Sequence, residues 1–244
     1  MIALFLQGKD LSAFTIFSIL FLFSLYYDFA RRKVLLNLIL RSKYTAESRE
    51  SLEFVSEKFS GILFTGITPF ILFVLILKIA PSEIGFTVGQ TLQLRYPLIL
   101  LTALTALFSF ISSKNTKIQE RSPELRIKIW YPRHLLLTVL SWGFYIFGFE
   151  FFFRGILWFI CYGVSGFWPA LVINIVLYSL VHLPMGKLMT FGAIPIGVIF
   201  CLLSHLTGSF YPAFLVHACM AIVTEIFSAY HNPEFQFRLS KSAK

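Results

Sequence analysis

Seven apolar stretches run through the chain, separated by polar connections: Leu11–Ala30, Gly61–Ala80, Pro97–Ser112, His134–Val164, Phe167–Leu183, Thr190–Leu206 and Ser209–Tyr230. Most approach the roughly 20 residues that a helix needs to cross a hydrocarbon core of about 30 Å. Inside lipid the backbone must satisfy its own hydrogen bonds, so apolar runs of this length are expected as helices. The pattern predicts an all-α, multi-pass transmembrane helical bundle of about seven spans. The fourth stretch is too long for one straight crossing, since it would rise about 45 Å. It is expected to tilt, to protrude, or to break near Gly143 or Gly148.

The connections carry the charge. The segment 31–60 mixes Arg41, Lys43, Arg49 and Lys58 with Glu47, Glu50, Glu53 and Glu57, and is expected to hold a surface helix. The 113–133 connection carries Lys114, Lys117, Arg121, Arg126, Lys128 and Arg133, and the tail adds Arg238, Lys241 and Lys244. Between the second and third stretches stand only Glu83 and Arg95. Basic connections mark the cytoplasmic side. Alternating seven spans places all three basic segments on one side, which predicts N-out, C-in topology in a bacterial inner (cell) membrane. Lys9 and Asp10 precede the first stretch and no small-residue cleavage site follows it, so it is expected as a retained helix, stopped by Arg31, Arg32 and Lys33.

Composition agrees with that picture. Hydrophobic residues make up 57% of the chain and charged residues 14%, and 29 positions are Phe. Soluble domains average about 25% charged residues. The net charge of +9 does not point to nucleic acid, because the basic residues lie between apolar runs and not on one soluble basic face. Cys161, Cys201 and Cys219 sit singly in apolar stretches without metal-like spacing, and are expected as small core residues. No internal repeat is visible, and the paired interrupted helices of a transporter are missing.

Ionisable residues within spans are costly, about 2.5–3.5 kcal/mol each on insertion scales, and are functional candidates by default. Glu150 and Arg154 are four residues apart, about 40° around a helix, so each can neutralise the other. The structural alternative is an ion pair that only stabilises its helix. His182 closes the fifth stretch, with Tyr178 one turn before it. His217 lies well inside an apolar run. His205, just before Gly208, is a secondary candidate with an interfacial look. Glu225 lies two turns after His217 on roughly the same face; its bland role is a span-end carboxylate near water. A carboxylate, a guanidinium and two imidazoles on successive spans suit hydrolysis: one group takes a proton from water and another stabilises the oxyanion. No His-Glu-x-x-His and no Gly-x-Ser-x-Gly occurs, which argues against the common zinc-protease helix and the serine-hydrolase elbow.

In this order, Glu-Phe-Phe-Phe-Arg-Gly at 150–155, Tyr178–His182 and the run from Leu206 to His217 resemble the CPBP family. This family comprises the CAAX-protease and bacteriocin-processing (Abi) intramembrane proteases, among them the type II CAAX prenyl endopeptidases. Its motifs are Glu-Glu-x-x-x-Arg, Phe-x-x-x-His and His-x-x-x-Asn/Asp, and the resemblance covers roughly Trp142–Phe227. It implies a bundle with a polar cavity within the membrane. It also implies a Glu and a first His that activate water, an Arg that orients a second Glu, and a second His and an Asn that bind the oxyanion. Eukaryotic members cut after a prenylated cysteine.

Carried onto this chain, the resemblance makes Glu150, His182 and His217 catalytic and Arg154 orienting, with Tyr178, Glu225 and His205 as supporting candidates. Two positions depart: Phe149 stands for the family's first Glu and Ala221 for its Asn. The resemblance implies no cofactor, with zinc held by Glu150, His182 and His217 as the alternative. The expected function is an intramembrane endopeptidase acting on a membrane-associated protein, prenylated CAAX-type chains among the candidates. The alternative is a non-catalytic membrane scaffold or immunity protein. Expected partners are membrane lipid and a peptide or protein substrate; oligomeric state is left open. The expected organisation is N-terminal helices with basic connections (1–133), a CPBP/Abi-like core (134–230) and a polar basic tail (231–244).

Overall fold

The computed structural model describes residues 9–31 and 45–240. The α-helices and strands in chain order are α1 (Lys9–Arg31), α2 (Ala46–Ile62, extended by wide-turn helix at Leu63–Ile67 and Phe70–Ile76), α3 (Arg95–Ser112), a short α4 (Thr116–Gln119), β1 (Ile129–Trp130), α5 (Pro132–Glu150), α6 (Trp158–Ser165), α7 (Phe167–Leu180), α8 (Lys187–Thr207), α9 (Tyr211–His231) and β2 (Gln236–Phe237). Among the described residues, six helices are long and apolar enough to cross a membrane. The fifth predicted stretch forms the shorter α7. The all-α multi-pass bundle is therefore borne out. Phe17, Phe21, Phe108, Phe144 and Phe191 each leave 60–71% of their surface exposed. Such large apolar surface suits a lipid environment. Arg32, Lys33, Arg41, Lys43, Lys241 and Lys244 lie outside the described residues.

The long fourth stretch stays helical from Pro132 to Ser165. It does not break at Gly143 or Gly148; its irregularity is a wide turn at Phe151–Leu157, between α5 and α6. Gly148 is used for packing: a Cβ built on Gly66 would come within 3.2 Å of the Gly148 Cα. Small residues let two helical backbones approach in this way. In the wide turn the bonding steps from i→i+4 to i→i+5, with the Trp158 N–H reaching the Phe153 carbonyl. Wide turns of the same kind also occur at Leu63–Ile67 and Phe70–Ile76.

Contacts divide the chain into two compact units. The first comprises residues up to Asp28, Ile62–Arg95 and Phe147–Phe214. Its core gathers Phe73, Leu77, Ile84, Phe151, Ile156 and Phe210. The Phe86 ring lies 5.6 Å from the rings of both Phe151 and Phe210 and 6.1 Å from that of Phe147. Aromatic pairs in edge-on or tilted contact add about 0.5–1.5 kcal/mol each beyond area burial. Gly89 has φ +52°, and a Cβ there would fall 2.0 Å from the Thr207 carbonyl oxygen. That oxygen accepts from the Gln90 N–H at 2.7 Å, so the approach requires glycine.

The second unit comprises Phe29–Gly61, Tyr96–Ile146 and Leu215–Lys244. Here Lys58 is only 3% exposed, not the surface charge its polar neighbourhood predicts. It pairs with Glu124, lies 3.7 Å from Glu57, and sits 3.9 Å above the Trp142 ring. The Glu124 N–H donates to Glu225 Oε2 at 2.7 Å. The 113–131 connection is thus pinned to α2 and α9 through one residue. β1 and β2 pair in parallel, Ile129 with Gln236 and Trp130 with Phe237.

Candidate active site

The first unit brings Glu150, Arg154, Tyr178 and His182 together. Glu150 and Arg154 are both fully buried, with Arg154 Nε 3.6 Å from Glu150 Oε2. A buried guanidinium needs compensation on every side. The Tyr178 ring lies 3.9 Å and the Phe200 ring 5.4 Å from the guanidinium carbon. The Gly197 carbonyl accepts from Nη2 at 3.5 Å. A Cβ at Gly197 would meet Tyr178 Cδ1 at 3.3 Å and Arg154 Nη2 at 3.5 Å, so a small residue lets α8 approach the cation this closely.

His182 follows α7 with φ −90° and ψ −4°, the sparsely populated bridge region in which many active-site residues sit. Its Nδ1 lies 2.6 Å from the Tyr178 carbonyl oxygen. A carbonyl only accepts, so Nδ1 carries the proton and donates. That tautomer makes Nε2 the proton-accepting atom of a neutral ring. The ring is partly exposed.

Phe149, at the position of the family's first Glu, is buried. Its ring stands 5.8 Å from that of Tyr178 and 6.2 Å, edge-on, from that of His182. Apolar aromatic surface borders this His.

The remaining candidates have other surroundings. His205, near the end of α8, is ringed by Tyr162 and Phe167 at 5.1 Å and Trp158 at 6.1 Å. His217 is nearly buried on α9, in the second unit, with Ala221 one turn beyond it. Glu225 is only 2% exposed; it accepts the Glu124 N–H and is not the water-facing span-end carboxylate of its bland role. Cys161 and Cys201 are buried and Cys219 is half-buried, all with free thiols. Among the described residues no group of three His, Cys, Asp or Glu side chains is placed to hold a metal ion.

Asn174 is a polar residue that the motif reading passes over. It is fully buried on α7, and its Nδ2 donates to the Phe153 carbonyl at 2.7 Å. Its signal in the sequence was a lone amide four residues before Tyr178 and eight before His182.

The fold and this buried constellation define a multi-pass helical membrane protein with an ion pair and a tautomer-fixed imidazole among apolar helices. Residues 130–223 match the family model of the Rce1-like type II CAAX prenyl endopeptidases. The family resemblance read from the three motifs is borne out over that segment, which contains Glu150, Arg154, Tyr178, His182, His217 and Ala221 and stops short of Glu225. The match supports, at the level of the family, a CAAX-type intramembrane endopeptidase with a peptide or protein substrate. No curated protein and no solved structure matches the chain.

Proposed function

We propose that this chain is an intramembrane endopeptidase in which His182 accepts the proton of the attacking water. The observation that carries this reading is the 2.6 Å contact between His182 Nδ1 and the Tyr178 carbonyl. It leaves Nε2 as the basic atom, as a general base requires. Glu150, held by Arg154, supplies negative charge that favours the imidazolium formed when His182 takes the proton. The hydroxide attacks the scissile carbonyl carbon, and His217 donates a hydrogen bond to the oxyanion that forms. The proton on His182 then passes to the leaving amine. Prenylated CAAX-type chains are the proposed substrate class, on the strength of the family match. Hydrolysis is proposed to be metal-free. Activity that survives exhaustive chelation supports this, and loss on chelation restored by zinc overturns it.

The test is cleavage of a prenylated peptide by the purified protein in lipid. Glu150→Gln, His182→Ala and His217→Ala should each lower kcat by about 10²–10⁴. If all three leave cleavage unchanged, the mechanism is wrong. The edge-on contact between Phe149 and His182 favours a second reading, a non-catalytic scaffold that keeps the bundle. A cellular phenotype that survives all three substitutions would establish that reading. The proposed topology remains N-out, C-in in a bacterial inner membrane. Labelling of single cysteines placed at 115 and 238 from the cytoplasmic side alone supports it, and labelling from the opposite side overturns it.

A further inference from the structure

Asn174, Tyr178 and His182 recur every four residues on one face of α7 and its C-terminal turn, rising about 6 Å per step. Each meets the helix that carries Glu150 and Arg154. The Asn174 amide donates to the Phe153 carbonyl, the Tyr178 ring covers the Arg154 guanidinium, and the His182 ring stands edge-on to Phe149. Of the three, only the first is a neutral hydrogen bond at 2.7 Å, and it is made to the backbone of the wide turn. The Phe153 carbonyl immediately precedes Arg154 and also accepts from the Trp158 N–H, the i→i+5 bond that widens the turn.

The amide is poorly explained as a stabilising residue. Asn174 is fully buried, and among the described residues its Oδ1 has no hydrogen-bond partner. A buried acceptor left without a partner is destabilising, and replacing such a group by an apolar side chain is often neutral or favourable. The neighbouring residues of α7 are apolar, so leucine would fit the pattern. A residue that breaks the local rule without a gain in stability points to a functional constraint.

We propose that Asn174 is a positioning residue. It holds the wide turn at Phe151–Leu157 in register with α7, and so fixes Arg154 and Glu150 relative to His182. The role rests on the endopeptidase reading of that site. The wide turn is the element being held: without the amide, the Phe153 carbonyl keeps only its intrahelical donor and the turn can relax toward regular α-geometry. That would rotate Arg154 away from Tyr178 and Gly197. Misplacement by about 1 Å costs on the order of 10²-fold in rate.

The test compares the full-length protein with Asn174→Leu and Asn174→Ala in lipid nanodiscs, by three measurements. The first is kcat and KM on a prenylated peptide; kcat should fall about 10–100-fold with KM within about threefold. The second is the melting temperature, which should stay within a few degrees for Asn174→Leu. The third is amide hydrogen exchange over 151–158, which should rise at least tenfold in both variants. Unchanged exchange in either folded variant overturns the proposal whether or not the wild-type protein cleaves. Unchanged kcat beside faster exchange overturns it too. Raised exchange in variants of a protein that cleaves nothing would uphold the brace and refute the endopeptidase reading. Using two variants keeps the question answerable if one fails to fold.

Discussion

Removing Arg154 should expose how strongly the site depends on its internal charge balance. Arg154 Nε and Glu150 Oε2 are 3.6 Å apart, and both side chains are fully buried. At that separation the attraction is about 4–5 kcal/mol for an effective dielectric constant of roughly 20. Breaking a buried pair by removing one partner typically costs about 3–5 kcal/mol, because the other charge stays buried alone. Arg154→Met and Glu150→Gln should each cost that much. For a chain of this size, 1 kcal/mol moves the melting temperature by about 2–4 °C, so each variant should melt about 6–20 °C lower. The double variant Glu150→Gln/Arg154→Met leaves no unpaired charge and should melt above both single variants. Thermal unfolding in one detergent, followed by tryptophan fluorescence or by exposure of the buried Cys161 and Cys201 thiols, measures all four proteins. A coupling energy below about 1 kcal/mol would refute the pair as the organising interaction of the site.

Three further outcomes are expected. Ala221 follows His217 by one helical turn on α9, so Ala221→Asn should return a missing oxyanion donor and raise kcat at least tenfold, against the about 10²–10³ that such donors contribute; an unchanged kcat removes His217 from the oxyanion role. Glu225 accepts the Glu124 N–H, so Glu225→Ala should cost about 1–3 kcal/mol of stability while turnover per folded molecule stays within about twofold; a loss near the about 10²-fold of a missing general base would make Glu225 catalytic. Gly89→Ala places a Cβ 2.0 Å from the Thr207 carbonyl at a positive φ and should destabilise by more than about 1 kcal/mol; an unchanged melting temperature would show that this close approach does not constrain the fold.

The spans were legible because lipid leaves few alternatives: an apolar run of crossing length becomes a helix whatever it packs against. The Glu150–Arg154 pair was legible for the same local reason, since residues four apart on a helix are neighbours. What escaped the pattern depends on partners distant in sequence. Lys58 sits in a charged segment and looks solvated. It is buried because Glu124 and Trp142, far along the chain, give it a counter-charge and a ring face. Glu225 looked like a span-end carboxylate near water, and its burial follows from the Glu124 N–H. Gly143 and Gly148 suggested a break by their residue type alone, yet Gly148 serves close helix packing against Gly66. The widening falls instead at Phe151–Leu157, a run with no marker in composition. There the Phe153 carbonyl takes a second donor from Asn174, a partner distant in sequence.

In the proposed mechanism Phe149, which cannot accept a proton, leaves that task to another group. A family member with two glutamates can divide the work, one orienting and one taking the proton. Here the carboxylate at 150 is fully buried and faces a guanidinium at 3.6 Å, so it is engaged by a fixed counter-charge. His182 is under no such constraint: it is partly exposed, and its Nδ1 is committed to the Tyr178 carbonyl. In the mechanism proposed above, the imidazole takes the proton and Glu150 is the fixed charge that stabilises the imidazolium. This assignment predicts an ordering among variants. Glu150→Gln removes a stabilising charge and should lower kcat by about 10²-fold, whereas His182→Ala removes the acceptor and should lower it by about 10⁴-fold. Cleavage rates for the two variants, each normalised to folded protein, decide the matter; a more active His182→Ala protein would return the role of base to Glu150.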